Sequence, residues 1–279
     1  MQQLIECVPN FSEGRDMTVI KQITDVIETV DGVKLLDVDP GKATNRTVVT
    51  FVGTPDAVVE AAFRAIKKAA ELIDMRKHKG EHPRMGATDV CPFIPVANVT
   101  MDDCIACAKK LGERVGRELD IPVYLYESAA SAPHRKNLAN VRAGEYEGIE
   151  QKILLPEWKS DYGEKFNPKT GNCIIGARDF LVAFNVNLNT TSVRRANSIA
   201  FDVRENGRVD PSGQKDAQGE ALRIPGTCKS VKAIVCRMKI LVSSIHAHNR
   251  PGSFRVTSLS NGKSKTGIRD LLGTGEQWK

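Results

Sequence analysis

The 279 residues carry 40 Lys and Arg against 34 Asp and Glu, a formal charge of +6, and 41% apolar residues; this is the composition of one large or two smaller globular domains. No apolar run reaches membrane-spanning length and the first residues lack the pattern of a secretion signal, so a cytoplasmic protein without a membrane partner is expected. Eight of the basic and two of the acidic residues fall in 235–279, which leaves 32 of each in 1–234; a neutral body argues against a general polyanion-binding field, and no nucleic-acid partner is expected.

In chain order, residues 4–8 read as a buried strand ending in the turn-like Pro9-Asn10-Phe11-Ser12-Glu13-Gly14. Apolar residues at three- and four-residue steps (Val19, Ile20, Ile23, Val26, Ile27, Val30) predict a helix. A strand over 33–39 follows, and its alternation places Asp37 and Asp39 on one face. After the Pro40-Gly41 turn, Thr44-Asn45-Arg46 leads into a strand over 47–53. Thr54-Pro55 offers a capping hydroxyl and a first-turn proline, predicting a helix to about Ile73. Residues 90–96 read as extended, and two prolines mark them as an edge or irregular strand. Thr100-x-x-Asp103 has capping-box spacing for a helix through Leu119, and 121–127 returns as a strand. Strands alternating with helices predict an α/β (α+β) architecture, a mixed β-sheet with helices packed on it.

Residues 128–176 are polar and turn-rich, apolar only around 153–155, and read as an irregular binding segment. In 180–189 the alternation sets Phe180, Val182, Phe184, Val186 and Leu188 on one face and Asn185, Asn187 and Asn189 on the other, where amides suit a polar ligand. A helix to about Asn206 and a strand from Val231 follow. There is no G-x-G-x-x-G and no P-loop, so nucleotide binding of those kinds is not expected.

Residues 74–93 concentrate the chemistry: two of the five histidines, with basic and acidic residues and glycines, between a helix and a strand. His82, held before Pro83 and between Gly80 and Gly86, is placed to exchange protons near neutral pH. His78-Lys79-Gly80-Glu81-His82 matches the spacing of inverted zinc peptidases. That pattern needs a helix, which Gly80 and Pro83 oppose, so no metal is expected. The seven cysteines (Cys7, Cys91, Cys104, Cys107, Cys173, Cys228, Cys236) are odd in number and scattered, unlike a disulfide framework; Cys104 and Cys107 fit an amphipathic helix core.

Glu6-Cys7-Val8-Pro9-Asn10-Phe11-Ser12-Glu13-Gly14, Leu35-Leu36-Asp37-Val38-Asp39, Thr44-Asn45-Arg46-Thr47, the block from His78 to Phe93, Val123-Tyr124-Leu125-Tyr126, Gly144-Glu145-Tyr146-Glu147 and Gly176-Ala177-Arg178-Asp179-Phe180-Leu181-Val182-Ala183-Phe184-Asn185 closely resemble glutamate formimidoyltransferase. The resemblance implies two formiminotransferase-type subdomains, 1–175 and 176–234, and transfer of the formimino group from N-formimino-L-glutamate to tetrahydrofolate as co-substrate in histidine degradation. It implies a homodimer and places the catalytic histidine at His82. A folate-contacting segment falls on Gly163, Glu164, Lys165, Phe166, Asn167, Pro168, Lys169, Thr170, Gly171 and Asn172, and a second around Gln214 to Arg223. For the substrate, charge complementarity singles out Asp39 or Asp37 for the cationic amidine and Arg46 or Arg84 for the carboxylates, with Asn185 and Asn187 as polar contacts.

After Ile234 the resemblance stops: Val235-Cys236-Arg237-Met238-Lys239-Ile240 leads into a Ser-, Arg- and Lys-rich tail over 235–279. The expectation is a reading-frame change or truncation near Val235 that leaves the second subdomain incomplete; the rival is a basic extension. An inactive remnant and a formiminoglutamate hydrolase stand as alternatives to the transferase.

Overall fold

The computed structural model describes residues 2–180, 182–184, 192–203, 207–215, 221–225 and 234–236, and the chain divides into two units between Asp179 and Phe180. The first unit opens with β1 (Leu4–Cys7) and β2 (Asn10–Phe11), one strand line interrupted at Val8 and Pro9. In α1 (Met17–Glu28) the Asp16 carboxylate accepts the backbone N–H groups of Thr18 and Val19, and Ile20, Ile23 and Ile27 form the buried stripe. The hairpin of β3 (Val33–Gly41) and β4 (Arg46–Gly53) shows the alternation expected of a half-buried β4. Helix α2 (Pro55–Leu72) starts at its proline, though the Thr54 hydroxyl makes no capping bond.

Strand β5 (Thr88–Ala97) is not an edge. It lies in the middle of the sheet, with β1 and β2 antiparallel on one side and a parallel strand on the other. Its prolines are tolerated because their missing donors fall at gaps. Pro92 faces the break in the neighbouring strand line, where its carbonyl accepts Val8 N–H at 3.2 Å, and Pro95 lies beyond Phe93, where pairing to the parallel strand ends.

Helix α3 (Met101–Leu119) carries both bonds of the capping box: Thr100 Oγ1 accepts Asp103 N–H at 3.3 Å and Asp103 accepts Thr100 N–H at 2.7 Å. Thr100→Ala is expected to cost about 1 kcal/mol, read as a lower urea midpoint at unchanged slope; an unchanged midpoint would show that the box contributes nothing here.

After β6 (Val123–Glu127) come α4 (Leu138–Val141), α5 (Glu145–Lys152) and β7 (Cys173–Ala177). The irregular segment expected over 128–176 is therefore corrected. It holds two short helices and a strand that pairs in parallel with both β5 and β6. Arg135 fixes the intervening turns, donating to Asp161 Oδ2 at 3.0 Å and to the carbonyls of Glu157 and Lys159. The sheet order is β3–β4–β1/β2–β5–β7–β6. Helices α1, α2 and α3 share one core with Ile5, Cys7, Phe51, Cys91, Phe93, Leu125 and Ile175. A second cluster, Met85, Val90, Tyr124, Tyr126, Val141, Ile149 and Ile174, packs with Trp158 and Phe166. In the second unit, β8 (Val182–Phe184), α6 (Val193–Val203), β9 (Arg208–Val209), β10 (Arg223–Ile224) and β11 (Ile234–Cys236) include a parallel pair, β8 with β11, and an antiparallel pair, β9 with β10.

Candidate active site

Residues 73–87 cross from α2 to β5 with little regular structure but many tethers. Met75 N–H donates to Lys169 O at 2.8 Å, Asn45 Nδ2 to Lys79 O at 3.0 Å, Ser12 Oγ to Gly86 O at 2.7 Å, and Ala87 N–H to Thr170 O at 2.8 Å. Gly86 passes so close to the carbonyls of Thr170 and Asn172 that a Cβ has no room. The His78–His82 stretch is not helical, so its two imidazoles do not share a helical face. His78 Nε2 donates to Asn45 O at 2.8 Å, and its Nδ1 is buried without a partner. Among the described residues no group of three or more His, Cys, Asp or Glu could hold a metal ion.

His82 is buried, and its two nitrogens have distinct partners. Arginine can only donate, so Nε2 accepts from Arg46 Nη1 at 3.0 Å; Nδ1 then carries the proton and donates to Pro83 O at 2.5 Å. Burial first, and the Arg46 charge second, pull the His82 pKa down to about 4. The imidazole is thus neutral at pH 7, with its one lone pair directed at a cation.

Behind this pair sits Asp89, with no exposed surface. Its Oδ1 accepts Met85 N–H at 3.0 Å, which ties the carboxylate to the segment just after His82. Its Oδ2 accepts Arg142 Nη2 at 2.5 Å and lies 3.8 Å from Arg46 Nε. Two guanidinium groups therefore approach one carboxylate beside a neutral histidine.

Arg84 is arranged differently. Its Nη1 donates to Glu145 Oε2 and Glu147 Oε2, both at 3.1 Å, and its Nη2 to Glu147 Oε1 at 2.7 Å. This fork is occupied by the first turn of α5. Asp39 lies opposite Val48 on the hairpin, and Val48 and Arg46 alternate onto one face of β4, so Asp39, Asp37 and Arg46 share that face. Partial burial, then the Asp37 charge, hold the Asp39 pKa above the usual carboxylate value.

In the 163–172 segment, Glu164, Lys165 and Pro168 are exposed, whereas Gly163, Phe166, Asn167 and Lys169 are half-buried. Thr170, Gly171 and Asn172 are buried against the loop, with Asn172 N–H on Met85 O at 3.1 Å. Gly171 takes φ +68°, open to glycine at little strain. Tyr146 bridges the segment to α5, donating to Pro168 O at 2.6 Å. The structure thus gathers His82, Arg46, Arg84 and the end of 163–172 around one loop. Asn185 and Asn187 lie outside the described residues, as does 216–220 of the Gln214 to Arg223 loop. Asp89, Arg142, Glu145 and Glu147 were not singled out individually. Asp89 carried one signal, a charge opening an apolar run after the loop; Arg142 carried none.

Two family models match the chain: the formiminotransferase domain, N-terminal subdomain, over residues 4–178, and the formiminotransferase domain over 183–240. The glutamate formimidoyltransferase of Streptococcus pyogenes serotype M1 is 48% identical over 208 residues, 74% of this chain and 70% of that protein. The glutamate formimidoyltransferase of Thermoplasma acidophilum is 51% identical over 203 residues, 72% of this chain and 67% of that protein. The formimidoyltransferase-cyclodeaminase of Rattus norvegicus is 53% identical over 227 residues, covering 81% of this chain but 41% of the relative. The chain spans about two fifths of the length of the cyclodeaminase-bearing relatives it matches. The first unit carries the matched N-terminal subdomain, the candidate residues His82, Arg46, Arg84, Asp89 and Arg142 lie within residues 4–178, and the chain belongs to the formiminotransferase family.

Proposed function

We propose that this protein transfers the formimino group from N-formimino-L-glutamate to tetrahydrofolate, giving 5-formiminotetrahydrofolate and L-glutamate, and works as a cytoplasmic homodimer in histidine degradation. The observation that carries the reading is a neutral His82 whose tautomer is set by Pro83 O and whose lone pair faces Arg46. The relatives named glutamate formimidoyltransferase support the same reaction.

A carboxylate of formiminoglutamate arriving at Arg46 competes for its Nη1–H and offsets its charge. That frees His82 Nε2 and removes one of the two main causes of its lowered pKa. As the N5 amine of tetrahydrofolate attacks the amidine carbon, Nε2 takes the amine proton; as the carbon–nitrogen bond to glutamate breaks, the same proton passes to the leaving nitrogen. One C–N bond forms and one breaks, and the histidine returns to its neutral form. The 163–172 segment, joined to the His82 loop through 170–172, is the folate-binding side.

The test is consumption of formiminoglutamate by the full chain with and without tetrahydrofolate. Consumption only with tetrahydrofolate is expected, and equal consumption without it would replace the transferase by a hydrolase.

Asp39 is assigned to the amidinium. Burial first, and the Asp37 charge second, raise the Asp39 pKa, and a cation lodged between the two carboxylates offsets the second of these causes. Asp39→Asn is expected to raise KM for formiminoglutamate about tenfold, the scale of one charge-assisted hydrogen bond, with kcat within a few-fold. An unchanged KM removes this role.

A further inference from the structure

We propose that Arg142 and Arg46 together form the subsite that holds one carboxylate of formiminoglutamate beside His82, and that Arg84 is kept out of it by its own glutamates. The inference rests on the substrate proposed above and adds the group that recognises it.

The first observation is the accounting of donors on Arg142. The side chain is only 10% exposed. Its Nε is buried with no partner, as are those of Arg84 and Arg135, so the difference lies in the Nη atoms: Arg84 fills both, whereas Arg142 bonds only Nη2, to Asp89 Oδ2. A buried guanidinium normally has its fork filled, because each donor withdrawn from water and left unmatched is unfavourable. Arg142 instead keeps Nη1, the nitrogen neither bonded to Asp89 nor buried without a partner, for an acceptor, and a carboxylate there gains a charge-assisted bond.

The second observation is charge. Arg142 and Arg46 converge on the same Asp89 oxygen, at 2.5 and 3.8 Å, so the two guanidinium groups are brought side by side. An anion entering between them meets both guanidinium groups at once. Arg46 also touches His82, and the Arg142 charge is felt at that imidazole. A carboxylate held there sits next to the proton-exchanging nitrogen.

The third observation excludes the obvious alternative. Arg84 meets two carboxylates through three bonds and donates in addition to His78 O at 3.4 Å. Its charge is compensated within the fold, and its task is to bind the start of α5 to the loop.

The experiment measures equilibrium binding of N-formimino-L-glutamate and of its α- and γ-monocarboxamides to the full chain by calorimetry. Wild type is expected to prefer the diacid over one of the amides by about 10- to 100-fold, the range of a lost charged pair. In Arg142→Met that preference should fall to about threefold or less, while Arg84→Met keeps it. A structural defect would weaken diacid and amide alike and leave their ratio unchanged. Should Arg142→Met fail to fold, Arg142→Lys, which keeps the charge but not the fork, should show an intermediate preference.

Full preference in Arg142→Met or Arg142→Lys, loss of it in Arg84→Met, or none in wild type overturns the subsite. A wild type that prefers the diacid yet transfers nothing to tetrahydrofolate overturns the transferase reading and leaves the subsite standing.

Discussion

Replacing His82 by Ala is expected to lower kcat for formimino transfer by about 10²- to 10⁴-fold, the usual contribution of a positioned acid–base group, with a far-UV spectrum like that of wild type. The loop holding His82 has its own backbone and side-chain ties through Ser12, Asn45, Thr170 and Asn172, so losing the imidazole should not release it. The pH dependence separates a proton-exchanging group from a spacer. With the free-enzyme pKa near 4, His82 is neutral above that value and takes up a proton as pH falls through it. Its contribution to kcat/KM should therefore be flat from neutral pH down to about 5 and decline near 4. Arg46→Gln removes the second cause of the depression and leaves burial, so the decline should begin at higher pH, toward the ordinary histidine value. Turnover of His82→Ala within tenfold of wild type would remove the imidazole from the mechanism.

The readable part of this site was local in sequence. His82 stands between Gly80, Pro83 and Gly86, and these residues produce what their backbone limits suggest: an irregular crossing held by tethers, with Gly86 pressed against two carbonyls. The capping box of α3 and the start of α2 at Pro55 were legible for the same reason, since their partners lie within one turn. The misses involve partners far along the chain. Strand β7 is five residues long and buried on both faces, so it shows no alternation, and its pairing to β5 and β6 spans tens of residues. The prolines of β5 signalled an edge, because nothing local to them shows that Val8 and Pro9 break the neighbouring strand opposite. Arg84 looked like a ligand for carboxylates, and its two glutamates stand 61 and 63 residues away. Asp89 and Arg142 are 53 residues apart, and neither spacing nor composition announces such a pair.

That pair carries the largest stability effect expected in the molecule. Asp89→Ala removes a carboxylate with no exposed surface, leaving Met85 N–H without its acceptor and Arg142 and Arg46 without the charge they share. Truncating one member of a buried ion pair costs about 3–5 kcal/mol, because the partner remains desolvated and unpaired; here that partner is Arg142. Against a total folding stability of about 5–15 kcal/mol, this lowers the melting temperature by on the order of 10 °C. The control is Glu147→Gln, which weakens a pair whose acid is 60% exposed and should cost about 1 kcal/mol or less. Asp89→Asn keeps a carbonyl oxygen for Met85 N–H and gives up the charge, so it should fall between the two. Thermal unfolding followed by circular dichroism measures all three. If Asp89→Ala melts within about 2 °C of wild type, a cost of less than about 1 kcal/mol, the guanidinium charges of Arg46 and Arg142 do not depend on Asp89, and its place at the centre of the site has to be given up.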